Sequence, residues 1–140
     1  MSMLRRTILG ALALSAVSTL LSAGPAYGGG ALRFAGKTSQ KRRIALTVSG
    51  GTVRGLRFTI VDRCPRKRRL IVKDSGFPSM AIKRGGFSGK FTAKAPATAT
   101  VSVSGHISRR SVSGTLQDRT KSYKWHKFCS GAATFKLRAS

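Results

Sequence analysis

The fold is decided by two stretches that each carry one of the chain's two cysteines, LRFTIVDRC at residues 56–64 and CSGAATFKL at residues 129–137. In both stretches apolar side chains alternate with polar ones, which is the two-residue period of a half-buried β-strand. Each cysteine falls in the apolar phase of its own strand, as Phe58 does in the first stretch and Phe135 in the second. Both sulfurs are therefore expected to face the interior.

The pairing of Cys64 with Cys129 follows from this placement, since two cysteines allow only one intramolecular disulfide. A bridge between such distant positions suits two packed sheets. The alternative is a reactive thiol or a metal ligand, because His126 lies three positions before Cys129. Two ligands without a second pair make a poor zinc site. We therefore predict a disulfide.

The rest of the chain from residue 31 onward shows the same alternation, interrupted by turns rich in Gly and Ser. It reads as about seven to nine short strands, and no stretch carries a helical period. These features predict an all-β fold, a single antiparallel β-sandwich, with a β-barrel as the alternative. Asp62 shares the apolar phase of its strand, so it needs either a partner or an exposed strand end.

The N-terminal segment has the three parts of a secretory signal peptide. Arg5 and Arg6 precede an apolar run at residues 8–21, and small residues follow, with cleavage expected after Ala26 or Gly28. The run falls short of the roughly 20 residues that span a bilayer, and an uncleaved membrane anchor is the alternative. We predict a signal peptide at 1–28 and one secreted domain at 29–140, extracellular or associated with the cell envelope, with no transmembrane segment in the mature chain. Export would also let a disulfide persist.

The charge balance is strongly basic, with 27 Lys and Arg against three Asp and no Glu. The predicted signal contains two of the Arg, so the remaining 112 residues keep 25 basic side chains against the same three acids. Such a balance favours association with anions and does not define a fold.

Two basic segments adjoin the cysteines, one beginning at Cys64 and the other ending just before Cys129. A disulfide would bring both to the same end of the molecule, where cations could hold phosphates or carboxylates and aromatic rings could stack on bases or sugars. The alternative is a generic solvated rim with the single Trp packed into the sandwich. The candidate anion-binding residues are Arg66, Lys67, Arg68, Arg69, Arg119, Lys121, Tyr123, Lys124, Trp125 and Lys127.

Catalysis is not expected. With three Asp and no Glu, the paired carboxylates of a glycosidase are hard to assemble. Only His106 and His126 could act as a histidine base, and no nucleophile elbow or phosphate-binding loop is present. The sequence predicts no cofactor and no metal site.

Four features of the mature chain are distinctive: the run VSGGTVRGLRFTIVDRC at residues 48–64, FSGKF at 87–91, VSGT at 112–115 and the late Cys129. With these features the sequence resembles a group of small secreted bacterial β-proteins. The resemblance covers most of the mature chain and implies an all-β fold with one cysteine pair and export. It supplies no active site and no ligand.

Taken together, these features predict a secreted, non-enzymatic β-sandwich that associates electrostatically with an anionic polymer or surface. Cell-wall polymer, acidic polysaccharide and extracellular nucleic acid are all candidates. The alternative is a module that binds a protein partner, such as an enzyme inhibitor or an adhesin.

Overall fold

The structure, a computed structural model, describes residues 30–93, 98–122 and 125–140. The predicted signal peptide lies outside the described residues. Nine antiparallel strands account for most of them, together with one 3₁₀ turn at Pro65–Lys67. The strands are β1 (Leu32–Lys37), β2 (Arg43–Ser49), β3 (Thr52–Arg63), β4 (Arg69–Asp74), β5 (Met80–Ala81), β6 (Gly86–Ala93), β7 (Ala99–Ser108), β8 (Ser111–Lys121) and β9 (Phe128–Arg138).

The strands form one sheet in the order β1-β2-β3-β9-β8-β7-β6, with β4 and β5 paired to β3 outside this path. The sheet folds back on itself, because the isolated bridges Phe34–Ala139 and Thr38–Phe135 connect β1 and the residue after it with β9 and the residue after it. These bridges do not form a continuous ladder, so the sheet is not closed into a barrel. The all-β, antiparallel prediction is confirmed, and the barrel alternative is wrong.

The core lies between the folded halves of the sheet. Strand alternation places one side chain in two in the interior, so β2 buries Ile44, Leu46 and Val48, and β9 buries Phe135 and Leu137. These residues belong to one apolar cluster that draws on both halves of the sheet.

Glycine recurs where large side chains cross the interior. A Cβ on Gly105 would meet the ring of Phe87, and a Cβ on Gly114 would meet the ring of Phe135. The repeated Ser-Gly pairs at these positions therefore leave room for close packing within the core.

The junction of β3 with β9 is narrow, since the two strands pair only at Arg63 and Ser130. Beside that pair the side-chain amide of Gln40 accepts a hydrogen bond from the backbone N–H of Val61 (2.8 Å) and donates one to its carbonyl oxygen (3.0 Å). The same amide donates to the carbonyl oxygen of Ala132 at 3.3 Å. Gln40 thus satisfies the β3 backbone where a strand partner is missing.

Candidate anion-binding site at the disulfide

The disulfide prediction is confirmed. Cys64 and Cys129 are bonded, with their Cα atoms 4.3 Å apart, and both side chains are buried. Cys64 follows the last residue of β3, and Cys129 is the second residue of β9. The bond therefore ties the segment after β3 to the segment before β9.

The segment after Cys64 projects its basic side chains into solvent. Pro65 has no backbone N–H and begins a short 3₁₀ turn. Arg66 and Lys67 take left-handed backbone angles, with φ of 61° and 59°. Both side chains are exposed, as is Arg68. The turn therefore presents three consecutive basic side chains to solvent.

The two loops meet through a cation–π contact. The guanidinium of Arg68 lies 4.7 Å from the ring centroid of Trp125. A recess of about 280 Å³ opens beside this pair, lined by residues of both loops. Its lining residues are Pro65, Arg66, Arg68, Trp125 and Lys127. Trp125 is half-buried and lines this recess, so it does not belong to the apolar core.

A second aromatic–cation group lies at the β8–β9 end of the site. Phe128 is 49% exposed, which is unusual for so large an apolar side chain. The guanidinium of Arg119 lies 4.3 Å from its ring centroid and the ammonium of Lys121 lies 6.0 Å from it. Lys121 is also the cross-strand partner of Phe128. Cations that lie over an aromatic face are held near it and keep charge available to a ligand.

The predicted site residues are thus placed as follows. Arg66, Arg68, Trp125 and Lys127 share the recess, and Lys67 lies on its exposed turn. Arg69 begins β4 opposite Arg63, and Arg119 and Lys121 surround Phe128. Tyr123 and Lys124 lie outside the described residues. Anion binding by this group of residues stays a prediction.

Sequence reasoning missed a pair of buried acids beneath the site. Asp62 is fully buried on β3 and Asp118 is 3% exposed on β8, so two of the chain's three acids lie inside the protein. Oδ2 of Asp118 accepts a hydrogen bond from the hydroxyl of Thr120 at 2.8 Å. As ionised groups, the two oxygens of Asp62 and Oδ1 of Asp118 have no hydrogen-bond partner among the described residues.

Protonation of Asp62 supplies the hydrogen-bond donor that two ionised carboxylates lack. Burial, a hydrogen bond with Asp118 and repulsion by the charge of Asp118 together raise the pKa of Asp62 to about 8, and burial contributes most. A protonated Asp62 can donate to Asp118, whereas two ionised carboxylates can only repel each other. Asp62 is therefore neutral at neutral pH.

Gly131 makes room for this pair. It is the cross-strand partner of Asp118, and a Cβ at this position would meet the Asp62 carboxyl and would lie 2.8 Å from the carbonyl oxygen of Val61. The sequence did indicate a buried acid, since Asp62 falls in the apolar phase of its strand. The partner was not identifiable, because Asp118 lies 56 positions away.

The described residues show two further absences. No three His, Cys, Asp or Glu side chains among them come close enough to hold a metal ion. Within the same residues, no helix is long and apolar enough to cross a membrane. No protein-family model matches the chain, and no curated protein and no solved structure is significantly similar to it.

Proposed function

We propose that the protein is a secreted, non-enzymatic, basic β-sandwich that associates with an anionic polymer, at the cell surface or outside the cell. The observation that supports this most directly is the Arg68–Trp125 contact beside the recess between the two disulfide-joined loops. Cations and an aromatic ring from distant segments are combined there. Such a combination suits a polymer that carries both negative charge and planar or ring-shaped units.

The charge distribution supports the same proposal. Two of the three acids are buried beneath the site, and Asp62 is neutral because its pKa is raised to about 8. The basic side chains of the loops are consequently not neutralised by exposed acids nearby in the described structure. A net positive surface of this kind attracts polyanions over distances of about one Debye length.

The test is binding of the oxidised, mature chain to a labelled polyanion over a salt series. Counterion release predicts that log affinity falls linearly with log salt, with a slope of about −0.9 per phosphate contacted on duplex DNA. The Arg68→Gln/Lys127→Gln double variant removes two charges from the recess. The matched control is Arg110→Gln/Arg138→Gln, which removes two exposed charges from the opposite end of β8 and β9.

The expected result is that the recess variant has a shallower salt slope and an affinity reduced about tenfold, since two lost charged contacts of about 0.7 kcal/mol each lower the binding free energy by about 1.4 kcal/mol. The control variant should change the affinity far less. Equal effects of the two double variants would mean that the net charge alone attracts the polymer, and the recess would lose its role.

A protein-binding module is the second candidate. Ile71 is 55% exposed on β4, a strand that pairs with β3 alone in the sheet of the described residues. An exposed apolar side chain on a strand with an open edge can accept a partner's strand. Binding of that kind would have a fixed stoichiometry and little salt dependence, and Ile71→Lys would weaken it by removing the apolar contact, without weakening polyanion binding.

A further inference from the structure

The outer face of the β6–β9 half of the sheet carries a broad groove that continues across the junction with β3. It has a volume of about 750 Å³ and is lined by residues from β6, β7, β8, β9 and β3. A second recess of about 420 Å³ shares three of its lining residues, so the two form one continuous surface. The shared residues are Lys90, Ser102 and Gln117.

Strand register sets the side chains of this groove in rows that cross the strands. In one row Thr100 of β7 lies opposite Arg119 of β8, which lies opposite Ser130 of β9, and Ser130 lies opposite Arg63 of β3. All of these side chains belong to the outward phase of their strands. Within the groove, the row from Thr100 to Arg63 therefore alternates a hydroxyl, a cation, a hydroxyl and a cation.

A neighbouring row begins with a further cation. Lys90 of β6 lies opposite Ser102 of β7, and Ser102 lies opposite Gln117 of β8. Lys90 and Arg119 are two strands apart, as are Arg119 and Arg63. Adjacent strands are separated by about 4.8 Å, so successive cations across the groove are separated by roughly 10 Å.

The groove is suited to anions over its whole length. Of the described residues that line it, the one acid is Asp118, which is 3% exposed and accepts a hydrogen bond from Thr120 on the interior side. Neutral hydroxyls and an amide separate the cations, and each of these groups can donate and accept hydrogen bonds. A ligand that alternates negative charge with hydroxyl groups would pair with both kinds of side chain.

We propose that this groove binds an acidic polysaccharide whose anionic groups recur about once per disaccharide, lying across strands β6 to β9 and reaching β3. This inference rests on the proposed function, because it names the polymer class that the basic protein binds. Lys90, Arg119 and Arg63 take the anionic groups, and Ser102, Ser130 and Gln117 take the sugar hydroxyls.

Single-stranded nucleic acid fits the groove less well. Its binding sites combine cations with several aromatic platforms on which successive bases stack. The lining residues of the groove include no aromatic side chain among those described. Among the described residues the exposed ring of Phe128 contacts the groove residue Arg119, whose guanidinium already lies 4.3 Å from the ring centroid.

The test compares three probes on the oxidised mature chain by calorimetry at fixed salt. They are a hyaluronan-type oligosaccharide with one glucuronate carboxylate per disaccharide, the same oligosaccharide with its carboxylates reduced to alcohols, and single-stranded oligothymidylate. The groove variant is Lys90→Gln/Ser102→Ala, which alters one cross-strand pair. The matched control is Lys136→Gln/Ser113→Ala, which alters another outward cross-strand pair of the same chemistry.

The groove variant should bind the acidic oligosaccharide about tenfold more weakly, because it loses one charged and one neutral hydrogen bond. The control should stay within about twofold of the unaltered chain, as expected for surface charges outside the site. The reduced oligosaccharide should bind at least as weakly as the groove variant binds the acidic one.

Other outcomes separate the two proposals. Two results would overturn the groove as the polysaccharide-binding site and leave the proposed function standing. One is tighter binding of oligothymidylate than of the glycan, and the other is glycan binding that depends on Arg68 and Lys127 but not on Lys90. Equal binding of the reduced and acidic oligosaccharides would overturn the role of the cations. Failure of every polyanion to bind would overturn both proposals.

Discussion

The buried carboxyl pair predicts that the protein loses stability as pH rises through the neutral range. The folded protein holds a proton on Asp62 up to about pH 8, whereas the unfolded chain releases it near the ordinary pKa of 3.8. Between these values the folded state binds more protons than the unfolded state, so the free energy of unfolding falls with pH. Below about pH 4 and above about pH 8 this contribution is constant.

The slope follows from the one proton that the folded state keeps and the unfolded state releases over this pH range. One pKa unit corresponds to about 1.4 kcal/mol, so this site lowers the free energy of unfolding by up to about 1.4 kcal/mol per pH unit. The Asp62→Asn variant keeps the shape of the side chain, cannot ionise, and can donate its amide hydrogen to Asp118. It should therefore be more stable than the unaltered protein at about pH 8, with the advantage disappearing towards about pH 4.

The assay is urea unfolding at a series of pH values, followed by the fluorescence of Trp125, the only tryptophan. Asp74→Asn is the matched control, since the Asp74 carboxylate accepts a hydrogen bond from the N–H of Gly76 at the surface. Asp118→Asn should narrow the pH range over which stability falls without abolishing the fall, because burial is the largest cause of the raised Asp62 pKa and remains in the variant. An Asp62→Asn variant with the same pH slope as the unaltered protein would refute the reasoning.

Two further predictions concern packing at the same end of the fold. Gly131→Ala should destabilise the protein by about 1–3 kcal/mol, because its Cβ would meet the Asp62 carboxyl and the Val61 carbonyl. Gly76→Ala, whose Cβ would meet nothing closer than 4.0 Å, should change the free energy of unfolding far less, and equal losses would contradict the account. Replacing both cysteines by Ser should cost roughly 4 kcal/mol in urea unfolding, because the bond closes a loop with a sequence separation of 65. It should also weaken polyanion binding under conditions where the variant stays folded, whereas unchanged affinity would show that the loops do not need the bond.

The strands were predictable because their signal is local. A period of two in apolar residues gives both the strand and the face that it buries, so β3 and β9 were recognisable with their inward cysteines. The full length of β8 was not predictable, because the structure continues this strand beyond its last apolar residue, Leu116, to Lys121. Asp118 and Thr120 face the interior in this part of the strand. Because both are polar, a pattern based on apolar residues does not detect them.

The candidate site was predictable only in part. The disulfide let the sequence place the two basic loops together, since a covalent bond fixes proximity without knowledge of strand order. The contact between Arg68 and Trp125 agrees with that placement. The exposed Phe128 between Arg119 and Lys121 was not anticipated, because its exposure depends on its position at the start of β9.

The sequence by itself determined an all-β chain, its strongly basic surface and the one bond that joins its halves. Only the tertiary structure decided that Asp62 faces Asp118 and that Lys90, Arg119 and Arg63 share a groove. The physical reason is that alternation along a strand is set by neighbouring residues, whereas the order and register of strands depend on contacts between distant ones. Both the buried acid pair and the groove are products of that register.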